Sequence, residues 1–214
     1  MEGAFRRSLP AGFRLIETLG WRPGAGFGAA EAHLGRMART AARLGAAWDR
    51  GAAERALAAA VAGAAGPMRC RLTLALGGEV EAVAAPLAPG PAVWTISFAA
   101  ARYDPADRWL GVKTTERAAQ DAARAALPSG VDEAIFLNSR GEVCEGTITN
   151  LFLLAGGALL TPPLGCGVLP GVLREGLLRR GLAREAVLWP EDLARGEVLV
   201  GNSLRGLIPA RLAG

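Results

Sequence analysis

Residues 68–76, MRCRLTLAL, alternate without a break: Met68, Cys70, Leu72, Leu74 and Leu76 fall on one side, Arg69, Arg71 and Thr73 on the other. Alternation with period two reads as a strand with one face buried and the other in water. Gly77–Gly78 and then EVEAVAA follow, so the strand is expected to fold back as a hairpin. A sheet buried on one face needs a cover. Residues 29–46 supply it: Leu34, Met37, Ala41 and Leu44 recur at helical spacing and form one apolar stripe. An alanine-rich helix is predicted over 51–63, and FRLIETLGW, 13–21, reads as another strand.

The same mixture recurs downstream. AVWTISFA reads as a strand and 116–126 as a helix. EAIFLNSRGEVCEG and TNLFLLAGGALLTP each read as strand, turn, strand, and LPGVLREGLLRRGL as a loop feeding a helix. ARYDPADRWLG is polar and carries a proline, which marks a candidate linker. The expected architecture is α+β, with two small α/β lobes at 1–100 and 111–214 joined across 101–110.

Composition narrows the function. With 51% hydrophobic and 21% charged residues the chain has a globular balance. No apolar run reaches membrane-spanning length, and MEGAFRRSLP lacks the apolar core of a signal sequence, so no membrane partner is expected. The net charge of +4 comes from scattered arginines, with only short pairs such as Arg6–Arg7 and Arg179–Arg180. No basic block is interleaved with aromatic residues, so no nucleic-acid partner is expected. Cys70, Cys144 and Cys166, odd in number and irregularly spaced, fit free thiols in a reducing cytoplasm. His33 is the only histidine, and no metal site is expected.

Several residues carry candidate chemistry. Lys113 is the only lysine among 24 Lys and Arg residues. Arginine serves solubility and ion pairing equally well, but only a lysine that loses its proton attacks a carbonyl, so Lys113 is a candidate Schiff-base nucleophile. Glu145, flanked by Val143 and the NLFLL strand, reads either as a surface strand end or as a partly buried carboxylate in need of a partner. Pro170–Gly171 opens a helix whose first N–H groups, at Gly171, Val172 and Leu173, suit an anion or simply begin a helix. The hydroxyl of Ser203 ends a strand, where it serves a phosphate or caps a turn. GAGFGA, 24–29, with Asp49 twenty residues beyond, matches a dinucleotide-binding spacing. RLGAAWDR is not the strand that such a site requires, so the match is set aside.

In order along the chain, HLGRMARTAARLG, KTTERAAQDAAR, EGTITNLF and LPGVLREGLL resemble the class IV aminotransferases, the fold-type IV pyridoxal-phosphate enzymes. The resemblance covers most of the chain. It implies pyridoxal 5'-phosphate in the cleft between the lobes, and a homodimer acting on a small amino substrate. It implies that Lys113 carries the cofactor as a Schiff base and that Glu145 pairs with the protonated pyridine nitrogen. Arg36, which helical spacing puts on the flank of its apolar stripe, would bind the phosphate. The backbone N–H groups of Val172 and Leu173 and the hydroxyl of Ser203 would bind it too.

This chain departs from the family pattern in places. Members often carry threonine where it has Leu173. Branched-chain aminotransferases have a tyrosine a few residues after the lysine, where this chain reads TTERAAQ. The usual first strand with its D-R-G segment is absent from these residues. The NSLRGLIP ending is similar to the 4-amino-4-deoxychorismate lyase branch, which releases pyruvate and 4-aminobenzoate for folate synthesis. That lyase reaction is the expected one. Transamination of branched-chain or D-amino acids is the alternative, and a non-catalytic family member a further one. Arg14, Arg102, Arg117 and Arg205 are candidates for holding substrate carboxylates.

Overall fold

The computed structural model describes residues 9–10 and 12–214. MEGAFRRS, including Arg6–Arg7, lies outside the described residues. The chain divides into two compact units, one running to Pro89 and taking in Lys113–Glu116, the other made of Gly90–Val112 and Arg117–Gly214. The expected linker at 101–110 is not one. It begins inside a strand that ends at Tyr103, and its polar residues build a turn in which Asp104 Oδ1 accepts from Ala106 N–H at 2.9 Å.

The first unit holds a four-stranded antiparallel sheet in the order β2-β1-β3-β4. Its strands are β1 Arg14–Arg22, β2 Gly26–Phe27, β3 Met68–Ala75 and β4 Val80–Pro86. Helix α1, Ala30–Leu44, packs on β1, and α2, Arg50–Ala60, on β3 and β4. Leu15 and Leu19 of β1 lie opposite Leu74 and Cys70 of β3, and all four are buried. Leu34, Met37, Ala41 and Leu44 of α1 are buried as the stripe predicts. Residues 24–29 run from the β1–β2 turn through β2 to a left-handed entry to α1 at Ala29, φ 52°, and Asp49 caps α2 by accepting from Ala52 N–H at 3.0 Å. The dinucleotide-like spacing therefore joins a turn to a helix cap.

The second unit holds eight strands: β5 Trp94–Tyr103, β6 Glu133–Asn138, β7 Val143–Gly146, β8 Asn150–Ala155, β9 Ala158–Thr161, β10 Arg184–Glu185, β11 Glu197–Asn202 and β12 Gly206–Leu212. Their order is β10-β9-β8-β11-β12-β5-β6-β7, and β7 pairs again with β8 through Glu145 and Asn150. Strands β8, β11, β12, β5, β6 and β7 thus close into a ring, which leaves none of the six with an open edge along its whole length. Ile96, Ile135, Val143, Leu151, Val200 and Ile208, one from each ring strand, belong to one buried apolar cluster. Helices α3, Ala118–Ala125, and α4, Val172–Arg179, complete the unit. Among the described residues no helix is long and apolar enough to cross a membrane, and all three cysteines are free and buried.

Candidate active site

Lys113 begins a four-residue strap that belongs to the first unit. Ile16 N–H donates to its carbonyl at 2.9 Å, Thr115 N–H donates to the Arg14 carbonyl at 2.9 Å, and Thr114 bridges to Leu15. The strap is therefore laid antiparallel along β1, and Lys113 is fixed opposite the residue that precedes Glu17. The lysine is half-buried between buried Val112 and Thr114.

Glu17 shares the buried face of β1 with Leu15 and Leu19, opposite Leu72. A carboxylate in that position needs partners, and α1 supplies two from one face, three residues apart. His33 Nδ1 lies 2.7 Å from Glu17 Oε2, while Arg36 donates from Nε to Oε1 at 2.8 Å and from Nη2 to Oε2 at 2.7 Å. Burial alone would raise the Glu17 carboxyl, but the His33 hydrogen bond and the Arg36 charge outweigh it and hold it below the usual carboxylate range. Arg36 accordingly lies under the helix, 6% exposed, and not on an open flank of the stripe. The pairing with Glu17 draws it inward.

The other four expected site residues lie in the second unit. Glu145, 7% exposed, sits at the point where the ring closes. Its Oε2 accepts from Asn150 Nδ2 at 2.9 Å and from Leu169 N–H at 3.0 Å. Asn150 also donates to the Leu169 carbonyl at 3.1 Å, and its Oδ1 packs so tightly on Gly171 that a Cβ there would come within 1.9 Å. Asn150 thus ties the carboxylate to the entry of α4. Gly171 N–H is not an outward donor, because it bonds to the Leu169 carbonyl at 2.8 Å. No side chain caps α4, so Val172 and Leu173 begin it with N–H groups that have no acceptor inside the helix.

Leu173 also leans on the strand end before Ser203: a Cβ on Gly201 would meet Leu173 Cδ2 at 2.9 Å. Ser203 follows in the β11–β12 turn. Asn202, and not Ser203, caps that turn, accepting at Oδ1 from Leu204 and Arg205 N–H at 3.1 and 3.0 Å. Glu145, the α4 entry and the turn at Ser203 are in this way joined through shared neighbours. Lys113 and Arg36 form a separate set on β1 and α1.

Two of the arginines considered for substrate carboxylates are engaged with protein groups. Arg14 donates to Thr73 and pairs with Glu81, and Arg117 donates to the Thr147 carbonyl and pairs with Asp121. Arg102 and Arg205 are exposed.

Several organising residues escaped the sequence reading. Glu133, fully buried, accepts from Thr147 N–H, Ile148 N–H and the hydroxyls of Thr147 and Thr149, and so pins the loop that follows Glu145. Tyr103, the only tyrosine, stacks on Phe136 with ring centroids 4.1 Å apart; burial and then the Glu145 charge raise its phenol. Arg174 is buried on the Pro162 carbonyl and Glu185. A charged residue on the apolar side of a strand was the available signal for Glu17; Glu133, at a strand start, offered none.

The model of the family described as amino-transferase class IV matches residues 14–213. Among solved structures the chain is similar to a "putative amino-acid aminotransferase" from Mesorhizobium loti, with a TM-score of 0.91 and 45% identity over 94% of this chain and 100% of that one. It is also similar to 4-amino-4-deoxychorismate lyase from Pseudomonas aeruginosa, with a TM-score of 0.76 and 27% identity over 93% of this chain and 82% of that one. A "probable branched-chain-amino-acid aminotransferase" of Thermotoga maritima is 33% identical over 85 residues. That match covers 37% of this chain and spans only 31% of the relative.

Proposed function

The chain belongs to the class IV aminotransferase family, and from that premise we propose that it is a pyridoxal-phosphate-dependent aminotransferase acting on a small amino acid. Membership of the family implies the cofactor, and the residues present fit it. Glu145 is a carboxylate whose orientation is set by two donors on one oxygen, as a partner for a protonated ring nitrogen should be. The uncapped start of α4 suits a phosphate. Arg36 adds a guanidinium, and Lys113 the only side-chain amine. Bound pyridoxal phosphate supplies an electron sink for the carbon that bears the substrate amine.

In this reading Lys113 Nζ would hold the cofactor, and the lysine amine would carry the proton that leaves the substrate α-carbon. Glu145 keeps the ring nitrogen protonated. Arg36, the N–H groups of Val172 and Leu173, and the Ser203 hydroxyl hold the phosphate. The observation that carries transamination is the 45% identity to the Mesorhizobium loti protein over nearly the whole chain.

The lyase preferred on sequence grounds stands second. It is supported by the NSLRGLIP stretch and by the lack of a tyrosine after Lys113. The two separate in one assay. Leucine, glutamate or D-alanine should exchange its amino group with a keto acid, and Lys113→Arg should abolish the exchange, because a guanidinium does not form an imine. If those amino acids are inert, while 4-amino-4-deoxychorismate alone gives many turnovers of pyruvate and 4-aminobenzoate, the lyase takes its place.

A further inference from the structure

We propose that Glu17 is the positioning residue for Arg36, holding the guanidinium in the one orientation in which it meets the cofactor phosphate; this rests on the reading of Arg36 given above. Two parallel hydrogen bonds from Nε and Nη2 engage one edge of the guanidinium and fix its plane as well as its place. Glu17 is itself fixed, on a strand whose neighbours Leu15 and Leu19 are core residues, with Oε2 shared between Arg36 and His33.

A purely structural role explains this arrangement poorly. Three polar side chains with relative exposures of 1%, 2% and 6% occupy buried positions that apolar residues would fill with no desolvation cost. Buried ion pairs seldom outperform such packing in stability. The same strand also anchors the lysine, since Ile16 N–H holds the Lys113 carbonyl and the next residue holds Arg36. Strand β1 therefore sets the position of the amine-bearing residue and of the arginine together.

The test compares the affinity of the purified apoprotein for pyridoxal 5'-phosphate with that for pyridoxal, which lacks the phosphate. Wild type should prefer the phosphate form, and Arg36→Met should lose much of that preference. Glu17→Gln should lower affinity for pyridoxal phosphate roughly tenfold, as expected for disturbing a charged hydrogen bond, and leave pyridoxal unchanged. In the Arg36→Met background Glu17→Gln should add no further loss, because it acts through the arginine. If Glu17→Gln alone does not fold, Glu17→Asp, which keeps the charge but withdraws it by one methylene, should show the same selective loss.

Equal loss for both ligands, an additive loss in the double variant, or full retention of the phosphate preference in the Glu17 variant overturns the proposal. A wild type with no preference for the phosphate form, or an Arg36→Met variant that keeps it, removes the reading of Arg36 itself.

Discussion

Replacing Gly171 by alanine should destabilise the protein, although nothing in its backbone forbids alanine. Its φ of −66° and ψ of 140° are open to any residue. On backbone grounds alone, Gly→Ala at a compatible site stabilises by about 0.4–1 kcal/mol, because the unfolded chain loses freedom. The obstacle is Asn150 Oδ1, 1.9 Å from where the Cβ would lie. Asn150 cannot swing aside and keep its bonds to Glu145 Oε2 at 2.9 Å and to the Leu169 carbonyl at 3.1 Å. The first is a hydrogen bond to a charged group, worth about 1.5–3 kcal/mol, and the second a neutral one, worth about 0.5–1.5 kcal/mol. Less the backbone gain, the net loss is about 1–4 kcal/mol.

Equilibrium urea unfolding followed by tryptophan fluorescence measures it. Gly176→Ala is the internal control: it lies in the middle of α4 with no neighbouring atom within 4 Å of its would-be Cβ, and should stabilise by about 0.5–1 kcal/mol. In an Asn150→Ala background, with the obstructing oxygen gone, Gly171→Ala should cost almost nothing. A Gly171→Ala single variant as stable as wild type would refute the coupling between the α4 entry and Asn150.

Other outcomes follow from the same contacts. Glu145→Gln should fold normally, since its amide oxygen still accepts from Asn150 and Leu169, yet on the proposed role of Glu145 it should slow turnover by orders of magnitude, because a ring nitrogen would lose its charged partner; a wild-type rate would make the carboxylate structural. Glu133→Gln places an NH₂ among groups that donate to both carboxylate oxygens and should cost about 3 kcal/mol or more in urea unfolding; a shift below about 1 kcal/mol would count against its role in holding the loop. Stability should also fall in acid. Hydrogen bonds from Arg140 and Asn138 hold the Glu142 carboxyl down to about 2 from 4.5, so its contribution is complete above pH 4.5 and lost as the pH drops toward 2. Glu142→Gln should flatten the fall of the urea midpoint across that window, and an unchanged slope would contradict the assignment.

Periodicity made most of the fold readable. The alternation in 68–76 and the stripe on α1 describe what each element buries, and local sterics and burial decide both. Strand β12 was not readable, because Pro209 breaks its pattern and its neighbours β11 and β5 come from different parts of the chain. The misread linker has the same origin: proline and polar residues mark a turn, and say nothing about whether it lies within a unit or between two.

At the candidate site, residue type pointed to Lys113 and Glu145, since few side chains perform that chemistry. Position was a different matter. The burial of Arg36 depends on Glu17, nineteen residues away along the chain, and the strap at Lys113 returns to β1 over 97 residues of separation from Ile16. Apart from a carboxylate on the apolar side of β1, these long-range pairings leave no local trace.

The ring's manner of closure bears on how the chain is made. β12 lies between β11 and β5, and β5 is synthesised about a hundred residues earlier. Until β12 has left the ribosome, β5 keeps one side unpaired, with Trp94, Thr95 and Ile96 waiting for Ala210, Arg211 and Leu212. Exposed strand edges recruit other chains, and slow parallel pairing prolongs the exposure. A stop codon in place of residue 206 would spare every residue of the candidate site and still leave two open edges, at β5 and β11, on each product. Such truncated chains would be expected in inclusion bodies, with the site's residues intact in sequence and lost to aggregation.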